Sequence, residues 1–260
     1  MEVVITPSAD HAGRLVADVI VRALQERPDA VIGLATGSSP LPTYAALVGD
    51  HRAGAVSFAR ASAVLLDEYV GLPPDHPQTY RAFIRQHFTS HIDLEPERLF
   101  GPDVWAGDLD AACQQYEQLF ADLGGVDVQL LGIGSDGHIG FNEPGSSLAS
   151  RTRIKTLTAA TRVDNARFFA SLEEVPRHVV TQGLATITAA RHVVLVACGE
   201  AKAAPVARAV EGPLAARCPA SVLQLHPHGT VVVDEAAAAE LELADYYRET
   251  YAGKPAWQHL

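Results

Sequence analysis

Cysteine is scarce in this chain: Cys113, Cys198 and Cys218 are the only three among 260 residues, odd in number, widely separated and without a CxxC. A disulfide framework and a zinc ribbon are thereby excluded, and a reducing cytoplasm is the expected setting, with the three thiols read as core or surface groups. Basic charge is also short, with 20 Lys and Arg against 31 Asp and Glu and a net charge of −11. A surface of that sign repels polyanions, so nucleic acid and acidic membrane surfaces are excluded as partners, and any bound anion is expected to be small. No stretch approaches the roughly 18 consecutive apolar residues of a spanning helix, and Met1 to Pro7 lacks the basic and apolar regions of a signal peptide. Repeats of fixed period and low-complexity tracts are missing too, so a single domain over 1–260 is expected.

What the chain does have is apolar material, 48% of its residues, enough to bury a sizeable core. It is arranged as short apolar runs alternating with helical periodicity. Strands are predicted over Glu2 to Ile5, Ala30 to Leu34, Ala63 to Leu66, Val126 to Leu131, His192 to Ala197 and Thr230 to Val233. Helices are predicted over Asp10 to Gln25, Leu41 to Val48, Tyr80 to His87, Leu109 to Leu123 and Lys202 to Val210. Continuous apolar strands separated by helices give an α/β fold: three αβα layers around a mostly parallel, Rossmann-like open sheet. Ligands in such folds bind beyond the carboxyl ends of the strands, so the polar residues following each strand carry the information.

Three such segments stand out. After the second strand comes Ala35-Thr36-Gly37-Ser38-Ser39-Pro40, then a helix. Glycine allows close backbone approach, the hydroxyls and amides donate, and the helix N-terminus adds partial positive charge, which together suit a phosphate. An ordinary capped turn has the same composition, and no Walker GK[ST] follows. After the third strand come Asp67 and Glu68, of which one is expected to face the crevice as a base strengthened by desolvation.

The segment Gly132-Ile133-Gly134-Ser135-Asp136-Gly137-His138 contains a literal GxGxxG, but Gly140, Pro144 and Gly145 interrupt the helix that a dinucleotide site requires. What remains is Asp136, His138 and Glu143 within one glycine-rich loop. A histidine between two acids is suited to moving a proton on and off a hydroxyl or ring oxygen. Metal ligation by the same three is the alternative; paired histidines at His87 with His91, and at His226 with His228, are read as structural.

These segments, in this order, resemble the glucosamine-6-phosphate deaminase family. The resemblance rests on Ala35 to Pro40, on Leu66-Asp67-Glu68-Tyr69-Val70-Gly71-Leu72-Pro73, on Asp136 to Pro144, and on the run Ser146 to Thr158; it fades over the last twenty or so residues. It implies conversion of D-glucosamine 6-phosphate and water to D-fructose 6-phosphate and ammonia, without metal or organic cofactor. It further implies catalytic roles for Asp67, Asp136, His138 and Glu143, and a phosphate site of Thr36, Gly37, Ser38, Ser39, Arg167 and Lys202. In hexameric relatives the positions matching Ser146, Arg153, Lys155 and Thr156 bind an allosteric N-acetylglucosamine 6-phosphate between subunits. The segment with Tyr246 and Tyr247 departs from those members, so a monomer and a homo-oligomer, hexamer included, both stay open. 6-Phosphogluconolactonases share a Gly-x-Asp-Gly-His loop and are the alternative, although their loop typically continues toward Ser-Leu-Phe-Pro where this chain reads Phe141-Asn142-Glu143-Pro144. A catalytically silent sugar-phosphate sensor is the third reading.

Overall fold

The computed structural model describes residues 1–255 and 257–260. The chain runs β1 (Glu2–Thr6), α1 (Ala9–Glu26), β2 (Val31–Leu34), α2 (Leu41–Arg52), β3 (Ser62–Leu65), β4 (Asp67–Val70), α3 (Tyr80–His87), β5 (Leu99–Phe100) and α4 (Leu109–Asp122). It continues through β6 (Val128–Leu131), β7 (Arg153–Thr156), α5 (Ala159–Asn165), β8 (His178–Thr181), α6 (Leu184–Ile187), β9 (His192–Ala197), α7 (Ala203–Val210), β10 (Gly229–Asp234) and α8 (Ala244–Ala252). Side-chain caps start the helices where the sequence offers a short oxygen before the apolar face: Ser8 for α1, Thr79 for α3, Asp108 for α4 and Thr158 for α5.

Seven strands form one parallel sheet in the order β1-β10-β9-β6-β2-β3-β5. Every residue of β2, β3, β6 and β9 is buried, as expected of strands covered by helices on both faces. The core follows from that layering: Val16, Ile20 and Leu24 of α1 and Leu47 of α2 pack with the strand residues into one continuous cluster. Chain direction decides where a ligand can sit. From β2 the chain moves outward to β3, whereas from β6 it moves the other way to β9, so the connections after these neighbouring strands part and open a crevice.

The periodicity missed β5, α5, α6 and α8, and with them a whole second sheet. Leu65 ends β3 in the large sheet, the chain bends at Leu66, and Asp67 opens β4 in a second, three-stranded sheet of order β4-β8-β7, with both pairings antiparallel. Asp67 is therefore the first residue of a strand, where a loop is predicted. Short strands such as His178–Thr181 and Arg153–Thr156 carry too few alternating residues to stand out from turns. Among the described residues no helix is long and apolar enough to cross a membrane.

Candidate active site

The crevice is a cavity of about 360 Å³. Thr36, Gly37, Ser38 and Ser39 line it from the β2 side, Gly132 to Ser135 and His138 from the β6 side, and Asp67, Arg167 and Lys202 complete it. The β2 loop is held by Tyr44 of α2, whose hydroxyl donates to the Ala35 carbonyl at 2.7 Å and accepts from the Ala35 amide at 3.1 Å. Gly37, at φ +95°, makes the left-handed turn that brings the loop's hydroxyls round to the cavity. Arg167 and Lys202, 35 residues apart in sequence, arrive from different elements. Arg167 sits in a 3-10 turn after α5, its guanidinium 4.8 Å from the Phe168 ring centroid. Lys202 precedes α7, and its Nζ donates to the Ile133 carbonyl at 2.6 Å. Burial lowers the Lys202 pKa, and Arg167 lowers it further; Asp164 and Asp136 oppose them. Two cations are thus held beside one another in a space that would favour an anion between them.

Asp67 is 5% exposed. Burial pushes its carboxyl well above the usual range, and the neighbouring Glu68 pushes it further; no hydrogen bond opposes them. Of the two adjacent acids it is Asp67 that faces the cavity; Glu68 is buried and turns away from it. Its Oε1 accepts from the Tyr69 and Tyr80 amides, both at 2.9 Å, and its Oε2 from the Arg81 amide at 3.0 Å. It thereby satisfies free amides at the start of α3 and fixes Tyr80 against the cavity. Two adjacent carboxylates consequently divide between a partnered structural group and an unpartnered one facing the crevice.

The glycine loop is shaped around His138. A Cβ at Gly134 would fall 2.1 Å from His138 Cε1, so only glycine leaves room for the imidazole there. Gly137 has φ +89° and a Cβ there would lie 2.6 Å from Cys218 Sγ, which accounts for the second glycine as well. Two of the three GxGxxG glycines thus answer to packing, Gly134 against His138 and Gly137 against Cys218, whereas a Cβ at Gly132 would meet nothing within 4 Å. His138 Nδ1 lies 2.6 Å from Asp136 Oδ1, and the His138 amide donates to the same oxygen at 3.0 Å. Burial tends to raise the Asp136 carboxyl, but the contacts with His138 outweigh it and hold the group below its ordinary value. The ring also stacks on Phe141, with centroids 6.3 Å apart at 20°.

Glu143 sits apart from this pair. It is 4% exposed, does not line the cavity, and its Oε1 accepts from the Thr158 amide at 3.3 Å, the Thr158 hydroxyl at 2.9 Å and the Thr161 hydroxyl. The structure joins Asp136 to His138 but places Glu143 under the first turn of α5. None of the four residues of the implied effector site lines the cavity: Arg153, Lys155 and Thr156 lie on β7, and Ser146 is buried in the loop before it. Arg153 donates to Asn142 Oδ1 at 2.9 Å, while Thr156 bonds His178. Tyr80, Phe141, Thr161, Asp164 and Asn165 also line the cavity, and sequence reasoning passed over all five. Only Tyr80 had a local signal, its place immediately after the Thr79 cap.

Of the other titratable groups, Cys113 and Cys218 are buried and Cys198 is partly so, all as free thiols. His226 bonds the Ala190 carbonyl, and His228 stacks on His192 with centroids 3.6 Å apart. Among the described residues no group of three or more His, Cys, Asp and Glu side chains is arranged to hold a metal ion.

The sequence profile of the glucosamine-6-phosphate isomerases/6-phosphogluconolactonase family matches residues 6–233. A glucosamine-6-phosphate deaminase of Streptomyces coelicolor is 60% identical over 261 residues, covering 100% of both chains. One of Mycolicibacterium smegmatis is 58% identical over 261 residues with the same coverage. Among solved structures, a monomeric glucosamine-6-phosphate deaminase superposes with a TM-score of 0.90 at 42% identity, over 92% of this chain and 100% of that one. The 6-phosphogluconolactonase of Trypanosoma brucei superposes with a TM-score of 0.74 over 92% and 98% of the chains, but at 21% identity, a likeness of fold alone.

Proposed function

The chain belongs to the glucosamine-6-phosphate isomerase/6-phosphogluconolactonase family, and from that premise we infer that it is a glucosamine-6-phosphate deaminase. It converts D-glucosamine 6-phosphate and water to D-fructose 6-phosphate and ammonia. The observation that carries the assignment of roles is one cavity lined by a buried unpartnered carboxylate and by His138, itself paired with Asp136 behind it, beside two cations and a hydroxyl-rich turn. The phosphate rests on Thr36, Gly37, Ser38 and Ser39 with Arg167 and Lys202. That grip fixes one end of the sugar, so the reacting carbons are presented at a set depth.

His138, oriented by Asp136, moves the proton between the anomeric hydroxyl and the ring oxygen and so opens the ring. Glu143 supports that step from beneath α5. Asp67 takes the proton from carbon 2 and returns it to carbon 1, the aldose-to-ketose shift through an enolamine. Water then adds to the resulting imine at carbon 2 and ammonia leaves. Desolvation raises the basicity of Asp67, which suits abstraction of a weakly acidic C–H proton. The residues used are side chains of this chain alone, and the reading invokes no metal or organic cofactor. Ser146, Arg153, Lys155 and Thr156 are proposed as an effector site reached from outside the cavity. The reaction belongs in the cytoplasm, residues 1–260 acting as one unit.

The test is ammonia release from glucosamine 6-phosphate by the purified protein, with fructose 6-phosphate formed in equal amount and no loss on adding a chelator. Hydrolysis of 6-phosphogluconolactone without ammonia release refutes the assignment in favour of the lactonase, and absence of both activities favours the silent sensor.

A further inference from the structure

Glu143 is buried, lies outside the cavity, and is fixed by an element that the catalytic reading does not otherwise use. Its Oε1 takes three donors, the amide and hydroxyl of Thr158 and the hydroxyl of Thr161, so the position of the carboxylate is set by the first turn of α5. The two threonines are not equivalent. Thr158 is the N-cap, its hydroxyl accepting from the Thr161 amide at 3.2 Å, so its side chain serves the helix as well as the acid. Thr161 gives the helix only its backbone amide; its hydroxyl goes to Glu143, with Thr158 Oγ1 3.0 Å away. Thr161 is 7% exposed and is the one residue of the pair that also lines the cavity.

The same segment carries the phosphate contact. Arg167 follows α5 directly, in the 3-10 turn Ala166–Phe168, and Asp164, Asn165 and Arg167 all line the cavity. One short stretch therefore touches Glu143 at its start and the proposed phosphate site at its end.

We propose that Thr161 is a positioning residue: its hydroxyl fixes the Glu143 carboxylate, and so ties the placing of that acid to the segment that carries Arg167. The proposal rests on the deaminase reading. It assigns Thr161 no contact with the reacting atoms; the hydroxyl works through Glu143. Hydrogen bonds from neutral donors to a buried carboxylate are directional and strong enough to select one orientation, so losing the donor loosens the acid without removing it.

The experiment compares the parent enzyme with Thr161→Val, which keeps the branched shape and the backbone amide that serves the cap while losing the hydroxyl. Expected is a fall in kcat of about tenfold with KM within twofold of the parent, and recovery to within about threefold in Thr161→Ser. Combined with Glu143→Gln, the Thr161→Val change should cost less than twofold more, because the group it positions has already been altered. Unchanged kcat in Thr161→Val overturns the proposal. So does a joint rise in KM, which would mean that the segment had shifted with Arg167 and that Thr161 is only structural. Full additivity with Glu143→Gln overturns it as well. Should Thr161→Val fail to fold, Thr161→Ala is read by the same criteria, with Thr161→Ser again as the rescue. Ammonia release by the parent enzyme tests the deaminase reading separately, so the two failures are distinguishable.

Discussion

Replacing Asp67 by Asn should make the protein more stable while removing its activity, and the two effects have one physical origin. The carboxylate is buried, with Glu68 adjacent and no hydrogen bond to its charged form, so its pKa in the folded chain lies above that in the unfolded chain. A group shifted in that direction binds its proton more tightly when folded. Its contribution to stability is present below the unfolded value and is lost as pH rises through the folded one. Each unit of that elevation corresponds to about 1.4 kcal/mol of destabilisation once the group is ionised. In a chain of this length that is roughly 3 to 5 °C in Tm per unit. Asparagine has the same shape and no charge, so Asp67→Asn recovers the loss. Glu68 is raised by its own burial, which its three backbone hydrogen bonds only partly offset, so its state is little altered by the change. The assay is thermal or urea denaturation of both proteins at pH 8, 6.5 and 5, beside ammonia release. The variant should be the more stable at pH 8, with the advantage shrinking as pH falls, and its turnover should drop about 10²- to 10⁴-fold. A variant no more stable than the parent at pH 8, or an advantage independent of pH, refutes the desolvation argument.

Arg167→Ala should raise KM for the sugar phosphate about 10- to 100-fold, with kcat changed much less, as expected for a charge-assisted contact that grips substrate and transition state alike. A KM within twofold of the parent removes Arg167 from the phosphate site. His192, on β9, should make the fold acid-sensitive. Burial, His228, His226 and Lys254 depress its pKa to about 3, below the unfolded value, so the stability it contributes is complete above about pH 6.5 and is lost progressively as pH falls toward 3. His192→Gln should flatten the decline in urea midpoint between pH 7 and 5, and a decline as steep as the parent's counts against that origin.

Much of the large sheet was legible because its strands are short, continuous apolar runs, and burial on both faces leaves little else that such runs can become. His192–Ala197 and Tyr80–His87 fall where periodicity predicts them, and α1, α4 and β10 differ only by a residue or so at their ends. The three-stranded sheet was not legible, since β7 reads Arg-Ile-Lys-Thr and β8 His-Val-Val-Thr, neither with the continuous apolar run that marks a strand buried on both faces. The candidate site divides the same way. The β2 loop, Asp67 and the Asp136–His138 pair are local features, each written as polar residues directly after an apolar run. Arg167 and Lys202 carry no such signal and look like ordinary surface cations until the fold brings them to one cavity.

The sequence by itself determined the layered α/β class and the residues that can accept, donate or carry a proton. Tertiary structure alone decided how two adjacent carboxylates differ. Glu68 receives three backbone amides, two of them from the first turn of α3, whereas Asp67 receives none and faces the crevice, because successive residues of β4 point to opposite faces. It also decided that Glu143, five residues from His138, leans on α5 and not on the imidazole. Spacing along a loop fixes which groups are near one another in sequence. Which oxygen meets which donor depends on elements arriving from elsewhere in the chain, and no local pattern encodes that.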